Sequence, residues 1–142
     1  MSVSPRSTAA GMTLDALRGK RIGVLGLGVN NRSITEWLVR HGVKNVTVLD
    51  ENPALDRAGL SGVTWRTGSE AFAHLTDFEL LIRNPWIGLD RPELVTAQQS
   101  GVEITSQTRL FFACSPAPII GVTGTKGKGT TSALLTDMLI AA

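Results

Sequence analysis

The sequence predicts an α/β protein: a parallel sheet wrapped by helices, followed by the start of a second α/β unit. Three observations carry this reading. Short apolar runs alternate with segments of helical spacing, the runs stop at glycine or an acid, and two glycine-rich turns each sit between a run and a helix. The 142 residues suffice for one ordinary domain and the beginning of another. With 42% hydrophobic and 18% charged residues, the chain can fill a core and does not read as disordered.

Met1–Met12 is rich in Ser, Thr and Ala and reads as a flexible tail, with the fold starting near Thr13. It has neither the apolar run of a secretory signal nor a membrane-spanning length. Arg21–Leu25 is a short apolar run bounded by glycine and reads as a buried strand. Asn31–His41 places Ile34, Trp37, Leu38 and His41 at helical spacing, and Gly42 stops it. Val46–Asp50 is a second strand, ending on an acid. A weak strand near Val63–Arg66 precedes a helical turn over Ser69–Leu75, and Glu79–Arg83 is a further strand. Pro92–Ser100 reads as a helix with proline in its first turn and Gly101 as its stop. Val102–Thr105 is strand-like, and Gln107–Cys114 is a helix leaving the first sheet.

Strands alternating with helices imply parallel pairing through right-handed crossovers. Ser115-Pro116-Ala117-Pro118 punctuates the chain before a new strand, Ile119–Thr123, and a helix over Ser132–Ile140. The boundary falls within residues 106–118, giving a tail (1–12), a sheet domain (13–110) and the start of a second domain (111–142). There is no internal repeat.

The net charge of +2, from 14 basic and 12 acidic residues, is no footprint for nucleic acid. Arg18, Lys20 and Arg21 read as a solvated strand entry. Cys114 is the single cysteine and follows Phe111 and Phe112, so it reads as a buried thiol rather than a nucleophile. Trp37 and Trp65 fall on apolar faces and read as core, and His74 has no partner at metal-ligand spacing. His41 falls in the last turn of its helix, where a cation suits the dipole. A reducing cytoplasm fits these features.

The first glycine loop is Gly26-Leu27-Gly28-Val29-Asn30-Asn31. Glycines between a strand and a helix let backbone amides and the positive helix end approach a phosphate. Asp50 closes the next strand 22 positions after Gly28, where dinucleotide-binding folds place an acid on a ribose. Asn31 occupies the third glycine position of G-x-G-x-x-G, which counts against a standard NAD site. A tight structural turn is the alternative for this loop.

The second loop carries more chemistry: Gly124-Thr125-Lys126-Gly127-Lys128-Gly129-Thr130-Thr131, after a strand and before a helix. Backbone amides can wrap a triphosphate, Lys128 can neutralise its β/γ oxygens, and a hydroxyl can reach Mg²⁺. It departs from G-x-x-x-x-G-K-[ST], since Val122 holds the first glycine position and Gly129 follows the lysine. The magnesium hydroxyl shifts to Thr130, or to Thr131.

At Gly124–Thr131 the sequence resembles the Mur ligase superfamily, whose ATP loop reads G-T-x-G-K-[ST]-[ST]. The early glycine loop, Leu49-Asp50, Thr67-Gly68 and the segment reaching Ala117-Pro118-Ile119-Ile120 are similar to the branch that adds D-glutamate in peptidoglycan synthesis. The resemblance spans Leu14 to Leu139. It implies a Rossmann-like domain for the UDP part of the substrate, then the first strand–P-loop–helix unit of a truncated P-loop ATPase-type domain. It implies ATP and Mg²⁺ as cofactors, with UDP-N-acetylmuramoyl-L-alanine and D-glutamate as substrates joined through an acyl phosphate. The full-length protein is expected to be cytoplasmic and monomeric, without nucleic-acid or membrane partners. By itself the chain is expected to be inactive.

On that resemblance Gly28, Val29 and Asn30 approach the uridine diphosphate and Asp50 the uracil. Asn84, Pro85 and Trp86 form the turn beside the nucleotide. Gly124, Thr125, Lys126, Gly127, Lys128, Gly129 and Thr130 hold ATP, with Lys128 catalytic and the Thr130 hydroxyl on Mg²⁺. Asn84-Pro85-Trp86 stands where the family has Ser-Pro-Gly, so a tryptophan replaces a glycine. Lys126 and Gly129 resemble folylpolyglutamate synthase, a relative that opens with its ATP domain. An L-alanine-adding Mur ligase and a non-enzymatic UDP- or NAD-binding module are the alternatives.

Overall fold

The computed structural model describes residues 12–141; the expected tail at 1–12 lies almost wholly outside them. Five parallel strands form one sheet in the order β3-β2-β1-β4-β5. They are β1 (Ile22–Leu25), β2 (Val46–Asp50), β3 (Thr64–Thr67), β4 (Leu80–Arg83) and β5 (Glu103–Thr105). The helices are α1 (Leu14–Arg18), α2 (Gly28–Arg40), α3 (Pro92–Gln99), α4 (Gln107–Cys114) and α5 (Lys128–Ala141). This is the parallel sheet with covering helices that the alternating pattern predicts.

The central strands are buried on both faces, which is why they read as continuous apolar runs. Alternate residues divide between the faces. Ile22, Val24, Val46, Val48, Leu80 and Ile82 pack against Leu17, Ile34, Leu38 and Leu110 from α1, α2 and α4. Leu25, Leu49 and Leu81 face Phe72, Leu75, Phe78 and, from α3, Leu94 and Ala97. Gly23 sits between these layers because of space: a Cβ there would lie 2.7 Å from Leu81 and 3.0 Å from Leu49 side-chain atoms. Trp37 and Trp65 are half-buried against the first layer.

Several elements differ from the sequence expectation. The short helix α1 was not expected; the Thr13 hydroxyl caps it by accepting from the Ala16 amide at 3.3 Å. Helix α2 begins at Gly28, three residues before Asn31, so most of the first glycine loop is already its first turn. Ser69–Leu75 is a series of turns ending in a 3₁₀ turn, Leu75–Asp77, entered through His74 at φ 55°.

The expected strand Ile119–Thr123 is absent. A strand is held by a neighbour, and no other strand pairs with this segment among the described residues. The helix after it starts at Lys128 rather than Ser132 and buries no residue; Leu134, Met138, Leu139 and Ile140 are all exposed. The five expected strands therefore form one parallel sheet, whereas residues 119–127 form an irregular loop leading into a solvated helix.

Candidate functional site at the sheet switch point

Strand order reverses at β1. The chain moves outward through β2 and β3, then returns to place β4 on the other side of β1. In open parallel sheets the connections leave such a point in opposite directions and open a crevice at the strands' C-terminal ends. The β1–α2 loop and the turn after β4 both border this crevice.

The two segments interlock. Gly26 and Gly28 take φ values of +69° and +43°, a region that side chains with a Cβ rarely adopt. A Cβ on Gly28 would lie 2.5 Å from Asn84 Nδ2, and one on Gly26 would lie 2.9 Å from Ile87 Cδ1. The Asn84 amide donates to Leu25 O at 3.0 Å, fixing the start of the turn to the end of β1. Within the turn, Ile87 N donates to Asn84 O at 3.0 Å and Trp86 N to Asn84 Oδ1 at 3.2 Å. Arg83 draws the loop inward: its Nη1 donates to Asn84 O at 3.3 Å, to Pro85 O at 3.1 Å and to Ile87 O.

Pro85 is exposed, and Trp86 is 94% exposed on this braced turn. Trp86 does not have a positive φ; His74 is the only non-glycine residue that does among the described residues. The turn therefore accommodates tryptophan where the family pattern has glycine without backbone strain. Val29, in the first turn of α2, is 84% exposed, and Asn30 beside it is exposed too. The N-cap residue of α2, Leu27, has no side-chain acceptor for the first turn, so the amides that follow it carry the positive end of the helix dipole at the crevice.

Asp50 is half-buried at the end of β2. Its Oδ2 accepts from Leu27 N at 2.9 Å and its Oδ1 from Asn52 N at 2.9 Å. The carboxylate thus ties the glycine loop to β2, with one backbone amide on each oxygen. Across the same sheet edge Arg91 grips Glu51 with two hydrogen bonds, 3.0 and 2.8 Å, and lies 4.8 Å over the Phe72 ring. Hydrogen bonding to Arg91 is the main reason the Glu51 carboxyl sits below its ordinary pKa.

Asn31 has a role that the sequence reading missed. It is fully buried, and its Nδ2 donates to Leu25 O at 3.0 Å and Gly26 O at 2.8 Å. Where a third glycine would let helix and strand approach, this amide stitches them together instead. An amide-bearing residue at a glycine position, on the helix face that also carries Ile34, Thr35 and Leu38, is the signal for it.

The second glycine loop stands apart from this crevice in sequence and is exposed throughout. Gly124 and Gly127 have φ +155° and +79°, Lys128 opens α5, and its Nζ donates to Gly124 O at 2.5 Å. Thr125, Lys126, Gly129 and Thr130 are all exposed, with no atom within 4 Å of a Cβ built on Gly127 or Gly129. The structure thus brings together Gly28, Val29, Asn30, Asp50, Asn84, Pro85 and Trp86 at one sheet edge, while Gly124–Thr130 form a separate group.

Cys114 is half-buried, its Sγ donates to Met12 O at 3.4 Å, and burial raises its pKa. It helps line an apolar groove of about 400 Å³ between α2 and α4, beside Trp37 and Phe111, that shares no residue with either glycine loop. No cluster of three or more His, Cys, Asp or Glu side chains with metal-binding geometry occurs among the described residues. No described helix is long and apolar enough to cross a membrane.

Residues 20–106 match the family described as Mur ligase MurD-like, N-terminal domain. Among curated proteins, the chain is 34% identical over 131 residues to a UDP-N-acetylmuramoylalanine--D-glutamate ligase of Clostridium botulinum (strain Hall), covering 88% of this chain and 28% of that protein. A protein of the same name from Clostridium novyi (strain NT) is 33% identical over 132 residues, covering 89% of this chain and 29% of the relative. The chain therefore spans under a third of the length of these relatives.

Proposed function

The chain belongs to the Mur ligase family through its MurD-like N-terminal domain, and from that premise we propose that it is the front portion of an ATP-dependent ligase adding D-glutamate to UDP-N-acetylmuramoyl-L-alanine. The observation that carries the reading is the interlocked crevice at the switch point. A helix N-terminus whose N-cap residue offers no side-chain acceptor, glycines that admit close backbone approach and an acid on the neighbouring strand suit a nucleotide's phosphates and polar rim. In this reading the amides of Gly28, Val29 and Asn30 hold the diphosphate, Asp50 meets the uracil, and the Asn84-Pro85-Trp86 turn closes the other side. The buried Asn31 in the third glycine position favours a uridine nucleotide over NAD.

Gly124–Thr130 fit a triphosphate by their donor set: glycines with positive φ, an ammonium at a helix start and exposed hydroxyls. Lys128 would neutralise the phosphoryl group, and the Thr130 hydroxyl would hold Mg²⁺, which supplies further charge neutralisation when bound. Transfer of the γ-phosphoryl group of ATP to the substrate's terminal carboxylate would give an acyl phosphate and release ADP. Attack by the glutamate amine then forms the amide and releases phosphate. The rest of that site belongs to the remainder of the ligase, a cytoplasmic monomer in this reading, and residues 111–142 begin its ATP-binding domain; the chain alone would not turn over.

The test is phosphate release by the full-length protein with UDP-N-acetylmuramoyl-L-alanine, ATP and D-glutamate. Lys128→Ala should lower turnover by about 10²- to 10³-fold, because the ammonium acts most strongly on charge in the transition state. Binding of the uridine substrate should stay unchanged. Near-normal turnover in the variant would remove Lys128 from the chemistry. Turnover with L-alanine and UDP-N-acetylmuramate instead would mark the L-alanine-adding branch.

A further inference from the structure

Trp86 places a large indole in water at a cost that the fold does not recover. Large aromatic rings are ordinarily among the side chains that folds and interfaces bury. Here the ring is 94% exposed, yet its backbone is held by Asn84 Oδ1 and by the Arg83 guanidinium on either side. A flexible loop would let an unpartnered indole fold back onto the surface; this turn presents it outward. Its neighbours Asn84 and Ile87 both pack on the glycine loop, so Trp86 is two residues, at most about 7 Å of chain, from the Gly28 contact.

The order of the sheet edge indicates what meets the ring. Across β2-β1-β4 lie Asp50, then Gly28–Asn30, then Trp86. A sugar nucleotide has a fixed covalent order: base, ribose, diphosphate, hexose. With the base at Asp50 and the phosphates at the α2 N-terminus, the hexose emerges on the β4 side. A pyranose face carries axial C–H bonds of slight positive charge, which suit the negative face of an indole. We infer that Trp86 is the platform for the amino sugar of the nucleotide substrate and thereby a specificity residue for the sugar, a role no glycine could fill. The inference rests on the proposed uridine-nucleotide reading of this crevice.

Calorimetric titration of the full-length protein with UDP and with UDP-N-acetylmuramoyl-L-alanine tests it, in wild type, Trp86→Ala and Trp86→Phe. Trp86→Ala should weaken the sugar nucleotide about tenfold, a typical scale for a well-placed aromatic contact, and weaken UDP, which lacks the sugar, by distinctly less. Trp86→Phe should restore most of the loss. Because the side chain is exposed, the thermal midpoint of both variants should match wild type, and a large drop would overturn the exposed-platform account. Equal losses for both ligands, or none for either, overturn the sugar-platform role while leaving the nucleotide site standing. Failure of wild type to bind either ligand overturns the nucleotide reading and this inference with it.

Discussion

Asp50 shows how far a residue can be read from sequence. Its place at the end of the second strand and its distance from the glycine loop were legible, because both follow from strand period and loop length. Its two backbone bonds, to Leu27 and Asn52, were not. Asn31 is the same lesson reversed: the missing third glycine was visible, but the carbonyls its amide holds are fixed only in three dimensions. Gly28 gives the sharpest residue-scale prediction. With φ +43° and Asn84 Nδ2 2.5 Å from a Cβ position, alanine is strained in its backbone and must push the Asn84 side-chain amide aside. Gly28→Ala should weaken UDP binding by at least about tenfold, as backbone approach is lost at the phosphates, while far-ultraviolet circular dichroism keeps its shape. Unchanged UDP affinity would place the phosphates elsewhere.

Apolar runs that pair within the sheet were legible as strands, and the run that finds no partner among the described residues misled. Strands β1, β2 and β4 could be read from apolar runs because both their faces are buried. Ile119–Thr123 has the same composition but no paired neighbour among the described residues, so its pattern is insufficient to make a strand. Helix α1 escaped notice because its five residues are too few for a period to show. At this scale the Glu51–Arg91 pair links the loop after β2 to the N-cap of α3. The Glu51 carboxyl titrates below its ordinary range when folded, so its contribution is complete above the unfolded value and is lost as pH falls through the folded one. Glu51→Gln should therefore make the thermal midpoint less sensitive to acid below the ordinary carboxylate range, and the difference should shrink in high salt because both groups are partly exposed. Parallel acid profiles for the two proteins would show that the pair does not contribute.

At the scale of the whole molecule, fold class came from alternation and the two glycine turns, and the sheet domain follows that pattern. The strand order did not: nothing in periodicity distinguishes an order that reverses at β1 from one that does not. That reversal brings residues 26–31 and 84–87 into contact, although more than fifty positions of sequence separate them. The central claim is that this crevice receives a uridine nucleotide, and amide nuclear magnetic resonance during a titration with UDP, then with NAD, tests it most directly. UDP should shift the amides of Gly28, Val29, Asn30 and Asn52 and leave those of the α2–α4 groove in place, with NAD binding more weakly. Shifts confined to that groove, or NAD binding at least as tightly as UDP, would contradict the account.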